Sequence, residues 1–359
     1  MKRNRILALA MGLIMTAGLL SGCQKAPADS SSPAQSPAAS SAPSVSQPDV
    51  SAPGETDPIV SANVMVLAGP TGVGAAKMME DNNIDDNPGS RTWAFTLAAD
   101  NSEVMPAINT GAVDIAATAT NVASTIYNKT EGKVTMLAIN TEGVLYILEK
   151  GNSVSSLSDL KGKTLYCPAT AKGANPEYVL NYLLTENGVD PAADLTIEWL
   201  TPQEITAKMA SSDSGVCMLP VPAATGLLLK DQGVREALDL SAEWEKIVET
   251  PLVQGCVVVR TEFLQENPDV VDAFLAEYKQ SIEYMNDPAN LDDAAQLVAK
   301  HGITANAQIA KMAIPQCNLT FLTGTDMQQS VQDYYEILFQ ANPAAIGGAM
   351  PYDDFYYNP

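Results

Sequence analysis

The sequence predicts an α/β protein with two lobes, each a mostly parallel sheet flanked by helices. Short apolar runs alternate with helical patterns from residue 59 to about residue 260, as in βαβ units covered on both faces. Segments 103–115 and 204–218 also share a pattern: a helix, a glycine and a strand, about one hundred residues apart. This repetition suggests two lobes of related topology, although a chance likeness between two helix–strand units is the alternative.

The first cycle begins with a buried strand and a glycine-rich loop at 69–74, followed by a helix predicted at 75–80. A second short helix is predicted at 102–109, closed by Gly111. Each strand of the cycle is a short apolar run bounded by turn residues. The predicted strands are 64–68, 93–98, 113–118, 134–139 and 144–148.

The second cycle begins after Ser153, and capping residues mark its helix starts. Asn175 is an expected N-cap with Pro176 at the first helical position, and Thr201 to Glu204 form a capping box. A returning strand at 252–260 precedes a tail that is predicted to be helical, because apolar residues recur there at helical spacing. The predicted strands of this cycle are 164–168, 195–200 and 216–220.

The first 58 residues predict a membrane address and a tether. Residues 1–22 combine a basic start with an apolar stretch that is short for a membrane span, and they end in Leu20-Ser21-Gly22-Cys23. This resembles the bacterial lipobox, so we expect a signal peptide at 1–22 and lipidation of Cys23. Residues 23–58 are rich in Ser, Ala and Pro and are expected to be a disordered tether, since they cannot bury enough surface to fold.

Composition excludes several function classes. The formal charge of −22 repels phosphate backbones, so no nucleic-acid partner is expected. A single histidine cannot build a multi-histidine metal site, and the acidic stretch from Asp81 lacks the glycine and glutamate of a calcium loop, so neither metal nor cofactor is expected. The cysteines after Cys23 show no paired spacing and predict buried free thiols.

Local phrases then point to a family. The segments 156–163 (SLSDLKGK), 259–264 (VRTEFL) and 267–271 (NPDVV) occur together with the lipobox, the two cycles and the helical tail. This combination resembles the type II periplasmic-binding-protein fold, in the group that serves ABC importers for nitrate, sulfonates, taurine and thiamine-precursor pyrimidines. The resemblance covers about residues 60–359.

The resemblance implies a lobe 1 of residues 59–150 plus 255–359 and a lobe 2 of residues 151–254. It implies crossings near 148–153 and 251–255, with a small-molecule ligand in the cleft between the lobes. The implied partners are an ABC permease and its ATPase. With the lipid anchor, we expect a monomer at the outer face of the cytoplasmic membrane that captures a monoanion or a heterocycle and performs no catalysis.

Ligands of open α/β sheets bind beyond the carboxyl ends of the strands, where three loops carry small or hydroxyl residues. Ordinary turn chemistry is the alternative for each loop taken alone. In the second-lobe loop, Lys172 could pair with a sulfonate or carboxylate, or be a solvated surface lysine. The segment 140–143 (NTEG) and Gln254 lie near the crossings and could face the cleft. The candidate ligand-binding residues are Gly69, Thr71, Gly72, Gly74, Thr118, Thr120, Asn121, Asn140, Thr170, Lys172, Gly173, Asn175 and Gln254.

Two other functions stay open at this point. One is an enzyme on the same fold, of the pyrimidine synthase or dehydratase type. The lipobox argues against it, as does His301, the single histidine, which lies away from the predicted cleft loops. The other is a surface sensor lipoprotein that serves no importer. Genes for a permease and an ATPase beside the gene of this protein would argue against it.

Overall fold

The computed structural model of the protein describes residues 59–82 and 91–358. The predicted signal peptide (1–22), the predicted lipidation site Cys23 and the predicted tether lie outside the described residues, as does most of the acidic stretch after Asp81. Among the residues described, no helix combines the length and the apolarity that crossing a bilayer requires.

Within these ranges the strands form a six-stranded and a five-stranded sheet. The strands are β1 (Ile59–Leu67), β2 (Arg91–Ala98), β3 (Ile115–Ala119), β4 (Val134–Thr141), β5 (Leu145–Lys150), β6 (Thr164–Pro168), β7 (Thr196–Leu200), β8 (Gly215–Pro220), β9 (Val234–Asp239), β10 (Gly255–Arg260) and β11 (Leu319–Leu322).

The first sheet has the order β11-β4-β10-β3-β1-β2, and the second has the order β7-β6-β8-β5-β9. In the first sheet β1 to β4 run in one direction, while β10 and β11 run against them. In the second sheet β6 to β9 share a direction and β5 opposes them. The prediction of two α/β units with mostly parallel sheets is therefore confirmed.

Helices cover the sheets and link their strands. They are α1 (Pro70–Val73), α2 (Ala76–Asp81), α3 (Val104–Thr110), α4 (Thr120–Thr130), α5 (Asn175–Glu186), α6 (Pro202–Ser211), α7 (Ala223–Lys230), α8 (Leu240–Glu245), α9 (Thr261–Glu266), α10 (Pro268–Asn286), α11 (Leu291–Lys300), α12 (Ala307–Ala313) and α13 (Gly324–Ala341).

Two predicted helix starts have different outcomes. The capping box at α6 is confirmed, because the side chains of Thr201 and Glu204 each bond to the backbone N–H of the other residue. The N-cap assigned to Asn175 is wrong, since α5 begins at Asn175 itself after an extended Ala174. The Asn175 side chain instead accepts a hydrogen bond from the hydroxyl of Tyr334.

The first crossing lies earlier in the chain than predicted. Strand β5 (predicted at 144–148) pairs with β8 and β9, so it belongs to the second sheet rather than to lobe 1. The chain therefore leaves the first sheet at 142–144 and not at 148–153. Pairing decides the sheet to which an apolar strand belongs, and hydrophobicity alone carries no information about it.

Helix α13 packs against both parts of the fold. It contacts β4 of the first sheet and α5 beside the second. Its predicted inward residues Met327, Val331, Tyr334 and Leu338 are all fully buried. They belong to one apolar cluster that also contains side chains of both sheets. The two sheets thus share part of their core through this helix.

Asp114 anchors the end of the first sheet opposite the carboxyl ends of its parallel strands. Its Oδ1 accepts from Arg260 Nη2 (2.8 Å), and its Oδ2 accepts from Asn63 N–H (2.9 Å) and Nδ2 (3.1 Å). Asp114 is only 6% exposed. These contacts fix β3 to β1 and β10 and give Asp114 a structural role.

We expect Asp114→Ala to lower the free energy of unfolding by about 3 kcal/mol, because it leaves the partly buried Arg260 without its main partner. Glu262→Ala is the matched control: Glu262 contacts the same arginine at 3.3 Å, but its side chain is 75% exposed. That loss should stay below about 0.5 kcal/mol. Urea unfolding measures both changes, and equal losses would contradict this role of Asp114.

Candidate functional site

The chain passes between the two sheets twice, from β4 to β5 and from α8 to β10, and both passages meet at Gln254. The Gln254 backbone N–H donates to Thr141 O (3.1 Å), and its carbonyl accepts from Thr120 N–H (3.0 Å). Its Oε1 accepts from Val144 N–H (2.8 Å). These bonds hold the carboxyl ends of β3 and β4 against the start of the second sheet.

Two glycines allow close backbone approach at this junction. A Cβ on Gly255 would lie 2.5 Å from Thr71 Cγ2 and 2.7 Å from Asn140 Oδ1. A Cβ on Gly143 would lie 2.1 Å from Ser241 Oγ. Because a side chain fits at neither position, the backbone of each passage lies directly against polar side chains of the site.

Five buried polar atoms at this junction have no hydrogen-bond partner within the described part of the chain. Four follow or end strands β3 and β4, and the fifth lies on α8 beside the second sheet. Leaving such an atom unpaired costs about 1–3 kcal/mol, so the fold concentrates unmet hydrogen-bonding capacity here. We call these atoms the interlobe polar cluster: Thr120 Oγ1, Asn121 Oδ1, Asn140 Oδ1, Thr141 Oγ1 and Ser241 Oγ.

The Asn140 amide is held in one orientation. Its Nδ2 donates to the backbone carbonyl of Thr71 (3.1 Å) and to the hydroxyl oxygen of Tyr278 (2.8 Å). Turning the amide over would place Oδ1 against the Thr71 carbonyl, which is repulsive. Thr71 therefore contributes its carbonyl to the site, and Asn140 Oδ1 stays unpaired.

The start of α4 is held from behind by the C-terminal part of the chain. Asn121 Nδ2 donates to Ala345 O (3.3 Å), and Tyr335 Oη donates to Thr120 O (2.5 Å). Thr118, by contrast, is satisfied, since its hydroxyl donates to Asn101 Oδ1 (2.8 Å). Of the first-sheet candidates, Thr120, Asn121 and Asn140 thus each keep a buried side-chain oxygen that has no partner among the described residues.

The glycines of the 69–74 loop have packing roles. A Cβ on Gly72 would lie 2.0 Å from Leu67 O, and a Cβ on Gly74 would lie 2.9 Å from Ile282 Cγ1. Gly69 has a φ of 114°, which favours glycine. It lines an apolar seam that is too narrow to hold a water molecule, together with Val221 and other side chains.

The second-lobe loop lies apart from the cluster. Thr170, Lys172 and Gly173 are exposed, and no contact among the described residues joins them to the cluster. Asn175 is buried, but Tyr334 occupies its side-chain oxygen. A ligand role for these four residues, and for Gly69, Gly72, Gly74 and Thr118, stays a prediction.

Ser241 is the cluster residue that sequence reasoning missed, whereas Thr141 belongs to the segment 140–143 that was expected to face the cleft. Ser241 follows the N-cap Asp239, whose carboxylate accepts from Ser241 N–H (2.8 Å). An N-cap aspartate was visible there, but strand β9 before it carries charged residues and gives no apolar run.

The surroundings of the cluster are acidic. Glu142 follows Thr141 directly, and burial raises the pKa of Glu142, with the carboxylate of Glu245 acting in the same direction. Asp239 bonds the backbone of Ser241. The five side chains that define the cluster are uncharged.

Most reactive groups of the described ranges lie away from the cluster, but Cys256 follows Gly255 and its thiol lies beside the Thr120 hydroxyl. His301 is the C-cap of α11, with Nε2 3.2 Å from Glu80 Oε2. Burial raises the pKa of the Cys217 and Cys317 thiols to about 12. The predicted buried free thiols are confirmed: Cys167, Cys217, Cys256 and Cys317.

A second groove of about 640 Å³ opens at the opposite edge of the first sheet, lined by Lys133, Arg260 and Glu262 among others. Arg260 already pairs with Asp114 and Glu262 there. The residues that line this groove include none from the second sheet. The junction between the sheets is therefore the stronger candidate site.

Solved structures of other proteins share this fold. An ABC transporter structure from Parabacteroides distasonis superposes with a TM-score of 0.67 at 21% identity, covering 84% of this chain and 99% of the other. The aliphatic sulphonate binding protein SsuA from Escherichia coli gives a TM-score of 0.65 at 15% identity, covering 83% and 92%. At these identities the likeness shows the shared fold.

Sequence comparison gives the family. The nitrate/nitrite binding protein NrtA of Synechococcus elongatus is 25% identical over 154 residues, which are 42% of this chain and 33% of that relative. The match thus spans about a third of the relative's length. The family described as NMT1/THI5 like matches residues 94–290, more than half of this chain. The predicted resemblance to the nitrate and sulfonate group is confirmed, and the chain belongs to the NMT1/THI5-like family.

Proposed function

We propose that the protein is an extracytoplasmic solute-binding lipoprotein that binds a small organic molecule between its two sheets and delivers it to an ABC importer. The interlobe polar cluster carries this proposal. Its unpaired atoms come from both sides of the junction, so a molecule held there would satisfy groups of both sheets at once. Among the predicted site residues, Thr120, Asn121 and Asn140 contact it with side chains, while Gln254 and Thr71 position the backbone.

Hinge closure supplies the mechanism. The passages between the sheets are short, and rotation about them separates Ser241 from the cluster atoms of the first sheet. Water satisfies the cluster in the open form, and a ligand replaces that water on closure. Without a ligand, closure leaves the five atoms unpaired, so ligand binding shifts the population towards the closed form.

The assignment to transport rests on several independent features. The relatives named above include binding proteins for nitrate and aliphatic sulphonate. The predicted lipidation at Cys23 would hold the protein at the outer face of the cytoplasmic membrane, where a permease and its ATPase would receive the ligand. The reactive groups argue against an enzyme, because His301 lies beside Glu80, and burial raises the pKa of the Cys256 thiol next to Thr120 and so keeps it protonated.

We expect Ser241→Ala and Asn140→Leu to weaken ligand binding by about tenfold or more, since each leaves a ligand atom without its partner. Thermal-shift screening of sulfonates, pyrimidines, thiamine-related compounds and amino acids identifies a ligand, and calorimetry then measures its affinity. Ser330→Ala is the matched control, because its buried hydroxyl donates to Asp326 O (2.9 Å) on α13. Unchanged affinity in both site variants would remove the site assignment.

The unpaired hydroxyl of Thr141 also predicts that its removal stabilises the ligand-free protein. Thr141→Val replaces an unpaired buried hydroxyl by a methyl group of similar size, so the ligand-free protein should gain roughly 1 kcal/mol in free energy of unfolding. Thr130→Val should have the opposite sign, because the Thr130 hydroxyl donates to Ile126 O (2.7 Å). Urea unfolding of both variants decides this, and a loss of stability in Thr141→Val would contradict an unpaired hydroxyl.

A further inference from the structure

A short segment after α12, residues 314–318, links the first sheet to the second without being one of the two passages. Strand β11 follows it directly and pairs with β4, so the segment is held to the first sheet. Within it, Asn318 Nδ2 donates to Gly143 O (2.6 Å), and Asn318 O accepts from Glu142 N–H (2.9 Å). These bonds attach the segment to the first passage between the sheets.

Gln316 reaches beyond this passage and bonds three elements on the side of the second sheet. Its Oε1 accepts from Thr225 Oγ1 (2.9 Å) on α7, and its Nε2 donates to Glu236 Oε2 (2.9 Å) on β9. Its backbone carbonyl accepts from Tyr146 Oη (3.2 Å) on β5. Because a carboxylate only accepts hydrogen bonds, the Gln316 amide has a single orientation, in which both of its ends are bonded.

A rotation of the sheets affects the bonds of Asn318 and Gln316 differently. Asn318 bonds the passage about which the sheets turn, so its bonds persist during rotation. Thr225 and Glu236 move with the second sheet, whereas Gln316 stays with the first. Opening therefore breaks both side-chain bonds of Gln316, and these two bonds belong to the closed form alone.

The apolar seam that contains Gly69 lies beside these contacts. Cys317 lines it from the first-sheet side and Val221 from the second-sheet side, and it is too narrow to hold a water molecule. Cys317 is only 1% exposed, and burial raises the pKa of its thiol to about 12, which keeps the thiol protonated and unreactive. Since Cys317 directly follows Gln316, parting of the sheets at Gln316 opens the seam and exposes this thiol.

We propose that Gln316 is a positioning residue that fastens the two sheets in the closed arrangement and thereby strengthens ligand binding from outside the interlobe polar cluster. With Gln316 bonded, a larger fraction of the protein has the arrangement that binds ligand, so the apparent affinity rises. This inference rests on the hinge closure of the proposed function and names a residue that regulates it.

The reactivity of Cys317 measures opening without any ligand. The full chain is treated with iodoacetamide, and peptide mass spectrometry follows Cys317 and Cys167, which is fully buried and absent from the seam. In the unmodified protein Cys317 should react at least about tenfold faster than Cys167, because opening requires less free energy than unfolding. Gln316→Ala should raise the Cys317 rate about fivefold or more, since it removes both side-chain bonds.

Two further variants test the contact with Glu236. Gln316→Glu places a second carboxylate against that of Glu236, so its Cys317 rate should exceed the rate of Gln316→Ala. Combining Gln316→Glu with Glu236→Gln restores a donor and an acceptor in reversed order. The double variant should therefore react more slowly than Gln316→Ala.

Gln328→Ala is the matched control. Both ends of the Gln328 amide are bonded as well, because Nε2 donates to Asp353 Oδ1 (3.2 Å) and Oε1 accepts from Asn358 Nδ2 (3.3 Å). All three residues belong to the C-terminal part of the chain, so these bonds are the same in the open and the closed forms. The Cys317 rate of this variant should stay at the value of the unmodified protein.

The outcomes separate this inference from the proposed function. A Cys317 rate that Gln316→Ala leaves unchanged, or that Gln328→Ala raises equally, overturns the role of Gln316. Equal rates for Cys317 and Cys167 in the unmodified protein overturn opening at the seam and the inference with it. Failure of the double variant to slow the reaction overturns the contact with Glu236. These measurements use no ligand, so solute binding is decided separately, by the thermal-shift screen.

Discussion

The arrangement of this site depends on Gln254, whose three hydrogen bonds fasten both passages between the sheets. Its backbone bonds to Thr141 and Thr120, and its side-chain oxygen bonds to Val144. A single residue thereby fixes the ends of β3 and β4 relative to the first residues of the second sheet. Since a hydrogen bond requires positioning within a few tenths of an ångström, these bonds also fix the positions of the neighbouring cluster residues closely.

Burying the atoms of this cluster without hydrogen-bond partners lowers the stability of the ligand-free protein. Packed interiors pair nearly all their buried polar groups, and a few exceptions are informative about function. Of the nine such atoms among the described residues, five belong to side chains near the two passages, where Gly143 and Gly255 leave no room for a side chain. The surrounding apolar packing, which includes α13, stabilises the fold enough to tolerate the unpaired atoms.

Much of the architecture could be predicted from the sequence, because the strand runs are apolar and the helices carry clear caps. The capping box at Thr201 and the apolar stripe of α13 are examples. The positions at which the sequence failed are those decided by pairing. Strand β5 is as apolar as its neighbours, so only its partners reveal its sheet.

The site was predictable in part for the same reason. Asn140 and Thr120 follow strands, which is a local feature, and they belong to the cluster. Ser241 belongs to it through a helix that the sequence did not reveal, and Asn175 is occupied by Tyr334, a residue 159 positions away. A contact over that distance leaves no signal in either local segment.

Two adjacent tyrosines of α13 form hydrogen bonds with different parts of the fold. Tyr335 bonds the start of α4, while Tyr334 bonds Asn175 and lies against Trp244, with 5.9 Å between the ring centroids. If the sheets part as proposed and α13 stays with the first sheet, Tyr334 leaves the fully buried indole of Trp244. The fluorescence emission of Trp244 would then change as water reaches its ring, so Trp244 would report the separation of the two sheets.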